Sequence, residues 1–381
     1  CKRWGARSGH GPSFGPQASP RAGRVVMANM GPADMVEARG EGRGLQVVLF
    51  VSLWFVWNIT IGIVTKWILL YGEVCLEGQG CRQYSFPLAT TAIHMGVSQT
   101  TCYVYIYHIR RSLAGRQLDG LMRLRKVGPL AAFFAATVAC GNLSLKYVYP
   151  SFKQMVGSGS PVVTVAMSVL VTRTRYNWWS WASMPMICGG LWMCTAGEVN
   201  FHAFGFVFAI GSMVLRSAKS IAQAQLLGKE ERIDPVTLLF YMSPLAGILV
   251  LLVSLVAEGT EPYMLLVRAA WEYKTAGGAS GTNGAGGGHG LPMLLLLLLA
   301  SGLNACFLNI TGFLVTRCTS AVTLQVLGSL KSCLGIALSV AVFGNELRPN
   351  QACGIVVCLV GVWIYESRGR SIKVAAKAKE G

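Results

Sequence analysis

The chain has 381 residues, 53% of them hydrophobic and only 13% charged, where soluble chains carry about a quarter charged residues. A set of globular cores in water is excluded, because there is too little polar surface to cover them and the excess apolar material must face lipid or pack between helices. The net charge of +17 would suit a nucleic-acid binder, but the basic residues sit in short loops between apolar runs, in both tails and at a few points inside the runs, which is membrane-protein placement.

Residues 1–44 are rich in Arg, Gly, Ser and Pro, hold no long apolar run and are expected to be disordered. The first 33 residues contain no acid, a composition shared with transit peptides, while Met27, Met30 and Met35 are alternative starts. From Leu45 onward come ten apolar stretches of spanning length, approximately 45–70, 84–107, 127–147, 150–172, 178–196, 201–227, 235–257, 291–315, 319–343 and 350–366. The loops at 108–126 and 173–176, the 228–234 turn, Arg317 and the tail after Glu366 carry far more Lys and Arg than the loops at 71–83, 197–200 and 344–349. An even number of spans with this asymmetry puts both tails in the cytosol.

Asn58-Ile-Thr60, Asn142-Leu-Ser144 and Asn309-Ile-Thr311 match the glycosylation pattern but fall inside spans, so they are read as polar helix residues and not as acceptors. The stretch 276–290 is almost all Gly, Ala, Ser and Thr, a flexible insert in a non-cytosolic loop. Of the twelve cysteines, most lie in apolar runs and behave as small hydrophobes. Cys75 and Cys81 share one polar loop and are the pair placed to bridge, and no CxxC zinc spacing occurs. An internal echo joins the halves: Asn142, Lys146, Ser151 and Gly157-Ser158 reappear as Asn309, Arg317, Ser320 and Gly328-Ser329. A five-span unit repeated once reverses its orientation, and inverted repeats are a transporter signature with the site at their interface. The domains are then 1–44 as a tail, 45–196 and 201–366 as the two five-helix repeats, and 367–381 as a basic cytosolic tail.

Charge inside the runs is of one sign. Lys153, Arg216, Lys219 and Lys331 lie within apolar stretches and Lys66 near the end of the first, whereas none of the sixteen acids falls near the middle of a span. Each charge at mid-bilayer costs at least ~2.5–3.5 kcal/mol on insertion scales, so several cations without a carboxylate call for a bound anion. Helical spacing gathers Ser212, Arg216, Lys219 and Gln223 into one polar stripe, Lys153, Gly157, Ser160 and Thr164 into a second, and Gly328, Lys331, Gly335 and Ser339 into a third. Lys331 sits roughly 16 Å into its helix, near the midplane. Lys66 and Lys153 are close enough to span ends to snorkel to the headgroups. Pro161, Pro185 and Pro244 are read as kinks, His94 as a packed polar residue, and Tyr103, Tyr105 and Tyr107 as an interfacial belt.

No HExxH, GxSxG or GK[ST] phosphate loop is present, and no paired carboxylates lie at depth. With these enzyme signatures absent the chain is not read as an enzyme, and no metal site or cofactor is expected. With so few acids and histidines inside the spans, exchange is favoured over proton symport.

Gly141-Asn142-Leu143-Ser144-Leu145, Ser151-Phe152 with Gln154, Gly197-Glu198 with Phe201-His202 and Gly205-Phe206, Arg216 with Lys219, Leu238 to Pro244, and Phe313 to Lys331 together resemble the nucleotide-sugar transporter and triose-phosphate translocator family of the drug/metabolite transporter superfamily. The resemblance covers roughly residues 45–366. It implies an all-α membrane protein of ten transmembrane helices in two inverted five-helix repeats, with alternating access around a central anion site. By the same resemblance Lys331, Arg216 and Lys219 bind the phosphate or diphosphate of the substrate, and Lys66 matches the lysine that closes the family's first helix. The full candidate substrate-binding set is Lys331, Lys219, Arg216, Lys153, Lys66, Ser332, Gly328 and Tyr241.

Plastid triose-phosphate translocators place an arginine after the ninth-helix lysine, where this chain has Ser332, and a lysine in the fourth helix, where it has Gly157. The expectation is therefore a nucleotide sugar or sugar phosphate exchanged for a nucleoside monophosphate or phosphate. The alternatives are a plastid-type sugar-phosphate exchanger and a non-transporting scaffold or receptor of the same fold; a multi-span transferase would want a carboxylate or metal cluster that the sequence lacks. The expected partners are that anionic small molecule and the lipid bilayer, with no nucleic acid. Lys377 and Lys379 resemble a dilysine retrieval signal, which suits the endoplasmic reticulum or Golgi with cytosolic termini.

Overall fold

The computed structural model describes residues 32–76, 80–109, 120–195, 202–228, 231, 233–275, 290–343 and 349–369. Within them the chain is almost entirely helical. The order is α1 (Pro32–Tyr71), β1 (Glu73–Leu76), β2 (Gly80–Gln83), α2 (Pro87–Val104), α3 (Gly120–Leu145), α4 (Pro150–Gly157), α5 (Ser160–Thr172) and α6 (Trp178–Thr195). Then follow α7 (Ala203–Leu227), α8 (Pro235–Ala257), α9 (Glu261–Thr275), α10 (Gly290–Cys318), α11 (Ala321–Phe343) and α12 (Pro349–Ile364). By its contacts the chain divides after Leu49: the described part of residues 1–49 is the opening of α1, which starts inside the expected tail, and residues 50–381 hold everything else described.

Among the described residues five helices are long and apolar enough to cross a membrane: Gly44–Ile68, Leu124–Leu145, Ala203–Leu227, Pro235–Ala257 and Leu291–Cys318. The protein is thus an all-α membrane protein with several spans. The remaining expected stretches carry α2, α4 with α5, α6, α11 and α12. The glycine-rich insert at 276–289, Gly197-Glu198 and the lysines of the C-terminal tail lie outside the described residues.

Close helix packing follows from small residues, since without a hydrophobic drive between helices in lipid it is backbone approach that stabilises the contact. The α6–α12 seam shows it. A Cβ on Gly190 would come within 2.5 Å of the Cys358 amide nitrogen and 2.6 Å of the Gly354 carbonyl, and one on Gly361 within 2.9 Å of the Ile187 nitrogen. Elsewhere α3 packs on α7 and α8, and α2 on α8 and α10, around a core that includes Leu130, Leu238, Met242 and Phe313.

The stretch expected as one span over 150–172 is a broken helix. Pro161 lacks the amide that would continue the ladder, and Ser158 and Gly159 form a turn between α4 and α5, with Ser160 Oγ donating to the Gly157 carbonyl at 2.7 Å. Non-helical backbone at such depth is tolerated where it borders a cavity, and this break does so.

One end of the bundle carries the β1–β2 hairpin, in which Cys75 stands directly opposite Cys81 and Cys81 is disulfide-bonded. Helix α9 lies at the same end, in a segment read from the sequence as loop. Its residues Leu265 and Ala269 are buried with Ile68, Val74, Tyr84 and Leu294, and Glu261 pairs with Arg82 of the hairpin at 2.8 Å. Glu258, just before α9, accepts from the Leu88 and Ala89 amides at 2.8 and 2.9 Å, so a carboxylate satisfies the otherwise unpaired first amides of α2 and complements its dipole.

Candidate anion-binding site

A cavity of about 530 Å³ lies between α1, the α4–α5 break, α7, α10 and α11. Among the described residues four cations line it, Lys153, Arg216, Lys219 and Lys331, and no aspartate or glutamate does. The ion pairs found among the described residues, Arg82–Glu261, Lys126–Glu231 and Arg317–Asp234, all involve other cations. The sign asymmetry of the sequence is therefore realised in space as one positively charged chamber.

Each cation is held by its local helix. Arg216, Lys219 and Gln223 follow one face of α7 into the cavity, while Ser212 turns its hydroxyl onto the Thr137 carbonyl of α3 at 3.1 Å and locks the two helices together. Lys219 Nζ stands 5.2 Å from the centroid of the Phe134 ring, a cation–π contact that eases its desolvation without cancelling its charge. Lys153 does not snorkel. Its ammonium runs inward past Gly141, where a Cβ would come within 3.0 Å of Nζ, so the glycine of the Gly-Asn-Leu-Ser stretch is what makes room for it. Lys331 donates to Asn58 Oδ1 at 3.0 Å.

Gly328 and Ser332 line the cavity on either side of Lys331, with Ser332 Oγ donating to the Gly328 carbonyl at 3.2 Å. Two members of the sequence-derived set stand elsewhere. Lys66 is exposed and is not among the lining residues. Tyr241 is buried in the core beside Leu238 and Met242, so its ring supports the bundle and does not line the cavity. Of the third stripe, Gly328 and Lys331 reach the cavity; the surroundings of Gly335 and Ser339 are outside what the structure describes.

From the sequence the asparagines of the cavity wall were not assigned to the site. Asn58 and Asn309 both line it; with Asn142 they share one local geometry, the side-chain amide donating to the carbonyl one turn back, at 2.7 Å to Trp54, 2.8 Å to Ala305 and 2.9 Å to Val138. The signal was their polarity, since an asparagine in an apolar run must find partners, but helical spacing does not group them with the cavity cations. Gln154, Gln223 and Gln325 complete the polar lining. Gln325 donates to Ser220 Oγ at 2.8 Å, and Ser220 in turn to the Arg216 carbonyl at 3.0 Å.

The model of the Triose-phosphate Transporter family matches residues 45–366. The chain belongs to that family. A relative from Arabidopsis thaliana described as a probable sugar phosphate/phosphate translocator is 28% identical over 80% of this chain and 94% of its own length. UDP-uronic acid transporter 1 of the same plant is 29% identical over 85% of this chain and 97% of its own length. The relatives therefore include both nucleotide-sugar transporters and sugar-phosphate translocators, and the family is one of transporters. A crystal structure sharing 14% identity covers 87% of this chain and 99% of its own, with a TM-score of 0.57, and shows the same fold.

Proposed function

We propose that this protein is a transmembrane antiporter of nucleotide sugars or sugar phosphates, working by alternating access around the four-cation cavity. The observation that carries the reading is the chamber itself: Lys153, Arg216, Lys219 and Lys331 converge with no acid among the described residues that line it. A phosphomonoester brings about −1.5 to −2 charges at pH 7, and a substrate with two phosphate groups offers enough oxygens to engage several cations at once. With substrate bound the site is close to neutral and able to rock between its two openings. Empty, it strands like charges in a closing chamber of low dielectric, so return without cargo is slow. Obligate exchange follows, with a nucleoside monophosphate or phosphate as counter-substrate.

Gly157 and Ser332 favour nucleotide sugars over small phosphorylated trioses. Both border the cavity, and both are small where plastid exchangers of the family carry additional cations, so the chamber has more room and fewer positive charges. The helix pairing supports ten spans in two inverted repeats: α2 on α10 and α3 on α8 are images of one another when the second span exchanges with the seventh and the third with the eighth. The disulfide at Cys81 supports an oxidising compartment at the hairpin end, hence the endoplasmic reticulum or Golgi lumen there and cytosolic termini at the other.

The test is exchange in liposomes. Vesicles loaded with UMP, GMP, CMP or phosphate are offered labelled UDP-, GDP- and CMP-sugars and triose phosphates in a competition panel. Uptake should require an internal anion; equal uptake into empty vesicles would overturn exchange. If no phosphorylated compound is taken up and none raises the melting temperature, the protein is a scaffold with the same fold.

A further inference from the structure

Whereas the contact of Lys219 with α3 is to the Phe134 ring, Lys331 is hydrogen-bonded to a side chain of another helix. Its ammonium donates to Asn58 Oδ1 at 3.0 Å, while Asn58 Nδ2 donates to the Trp54 carbonyl at 2.7 Å. The second bond fixes which end of the amide faces the lysine. Its setting is firm as well. Trp54 is buried beside Val315 and Leu327, and Trp57 stacks on Phe307 of α10 with ring centroids 5.0 Å apart and planes 19° from parallel.

We propose that Asn58 is a positioning residue of the anion site, holding the Lys331 ammonium at the cavity wall and, because it is neutral, sharing the cost of desolvation without cancelling the charge. The inference rests on the exchanger reading above. Three residue types could occupy this position, with different consequences. An apolar one would leave a half-buried ammonium without its partner and free to swing. A carboxylate would form a buried ion pair, strong in place but with one cation fewer for the substrate. An amide takes one of the three ammonium protons and leaves two, with the full charge, for phosphate oxygens.

A plain structural role is the rival explanation, because Asn58 also ties α1 to α11. The variants Asn58→Ala and Asn58→Asp separate the two. A tether alone is lost in Asn58→Ala and kept in Asn58→Asp, whose carboxylate accepts from Lys331 more strongly than the amide. Positioning by a neutral group gives the reverse order: Asn58→Ala weakens binding about fivefold, because the ammonium loses its anchor but keeps its charge, and Asn58→Asp about a hundredfold, because the ion pair takes a charge-assisted contact from the substrate.

The experiment measures binding of UDP-galactose, GDP-mannose and dihydroxyacetone phosphate to purified protein, with melting temperature and size-exclusion profile for each variant. The expected result is that Asn58→Asp melts at or above the wild-type temperature yet binds more weakly than Asn58→Ala. Should Asn58→Ala fail to fold, Asn58→Asp decides alone. Binding by Asn58→Asp within twofold of wild type overturns the proposal and leaves the exchanger reading intact. If wild-type protein binds none of the three probes, the exchanger reading fails first and this proposal with it.

Discussion

Gln223 donates its side-chain amide to Thr316 Oγ1 at 2.6 Å, and this bond joins the walls of two separate cavities. Gln223 lines the cationic chamber, and Thr316 lines a smaller polar cavity of about 270 Å³ that also includes Arg317, Ser320 and Gln225. Gln223 reaches the Gly312 carbonyl as well, at 3.4 Å. The Gln325–Ser220 bond likewise ties α11 to α7 at the cavity wall.

Gln223→Leu removes that partition bond. One hydrogen bond is worth about 1 kcal/mol net, and if it belongs to only one of the two access states, its loss shifts their populations roughly fivefold. Apparent affinity measured from the hairpin side should fall and that from the opposite side should rise, in vesicles sorted by orientation. Equal changes on both faces would show that the bond does not discriminate between the states.

Lys331→Ala removes the central cation. Charge-assisted hydrogen bonds contribute about 1.5–3 kcal/mol each, so nucleotide-sugar uptake should drop roughly ten- to a hundredfold, and Lys331→Glu should abolish it. Lys331→Ala should remain folded, since it strands no buried carboxylate, and the carboxylate of Lys331→Glu has Lys153, Arg216 and Lys219 in the same cavity to offset it. Wild-type uptake rates in either would remove Lys331 from the site.

Gly157→Lys and Ser332→Arg restore the two cations of plastid exchangers. A side chain at 157 starts 4.0 Å from Arg216 Nη1, inside the chamber. The double variant should compete better with triose phosphate and inorganic phosphate and lose at least about tenfold in nucleotide-sugar uptake, a difference of ~1.4 kcal/mol. An unchanged competition profile would mean that these positions do not set selectivity.

Gly190→Val places a branched side chain where a Cβ alone meets the α12 backbone at 2.5 Å. Backbone cannot yield as a flexible side chain does, so α6 and α12 must separate. The melting temperature should fall by several degrees at least, or the protein should not fold at all. Gly189→Val is the control, with nothing within 4 Å of its Cβ, and should melt like the parent. Similar melting for the two variants would show that the seam is not closely packed.

The membrane class, the helical stretches and the cations at depth were legible in the sequence because each depends on a one-dimensional quantity: apolar run length against bilayer thickness, or a charge whose cost is set by its distance from the ends of its run. The polar face of α7 was legible for the same reason, since Arg216, Lys219 and Gln223 keep helical spacing without interruption. Tertiary structure decided which of these groups meet. Lys66 and Lys153 both lie near span ends, yet Lys153 enters the chamber because Gly141 on a neighbouring helix leaves a gap for it, while Lys66 is exposed outside it. Tyr241 went into the core because the rotation of α8 is fixed by its packing on α2 and α3, which periodicity in so apolar a helix does not encode. The break between α4 and α5, the amphipathic α9 and the pairing of Asn58 with Lys331 depend on contacts between segments far apart in the chain. One sequence reveals that a buried charge needs a partner, but only the folded packing determines whether that partner is an acid, an amide or a passing substrate.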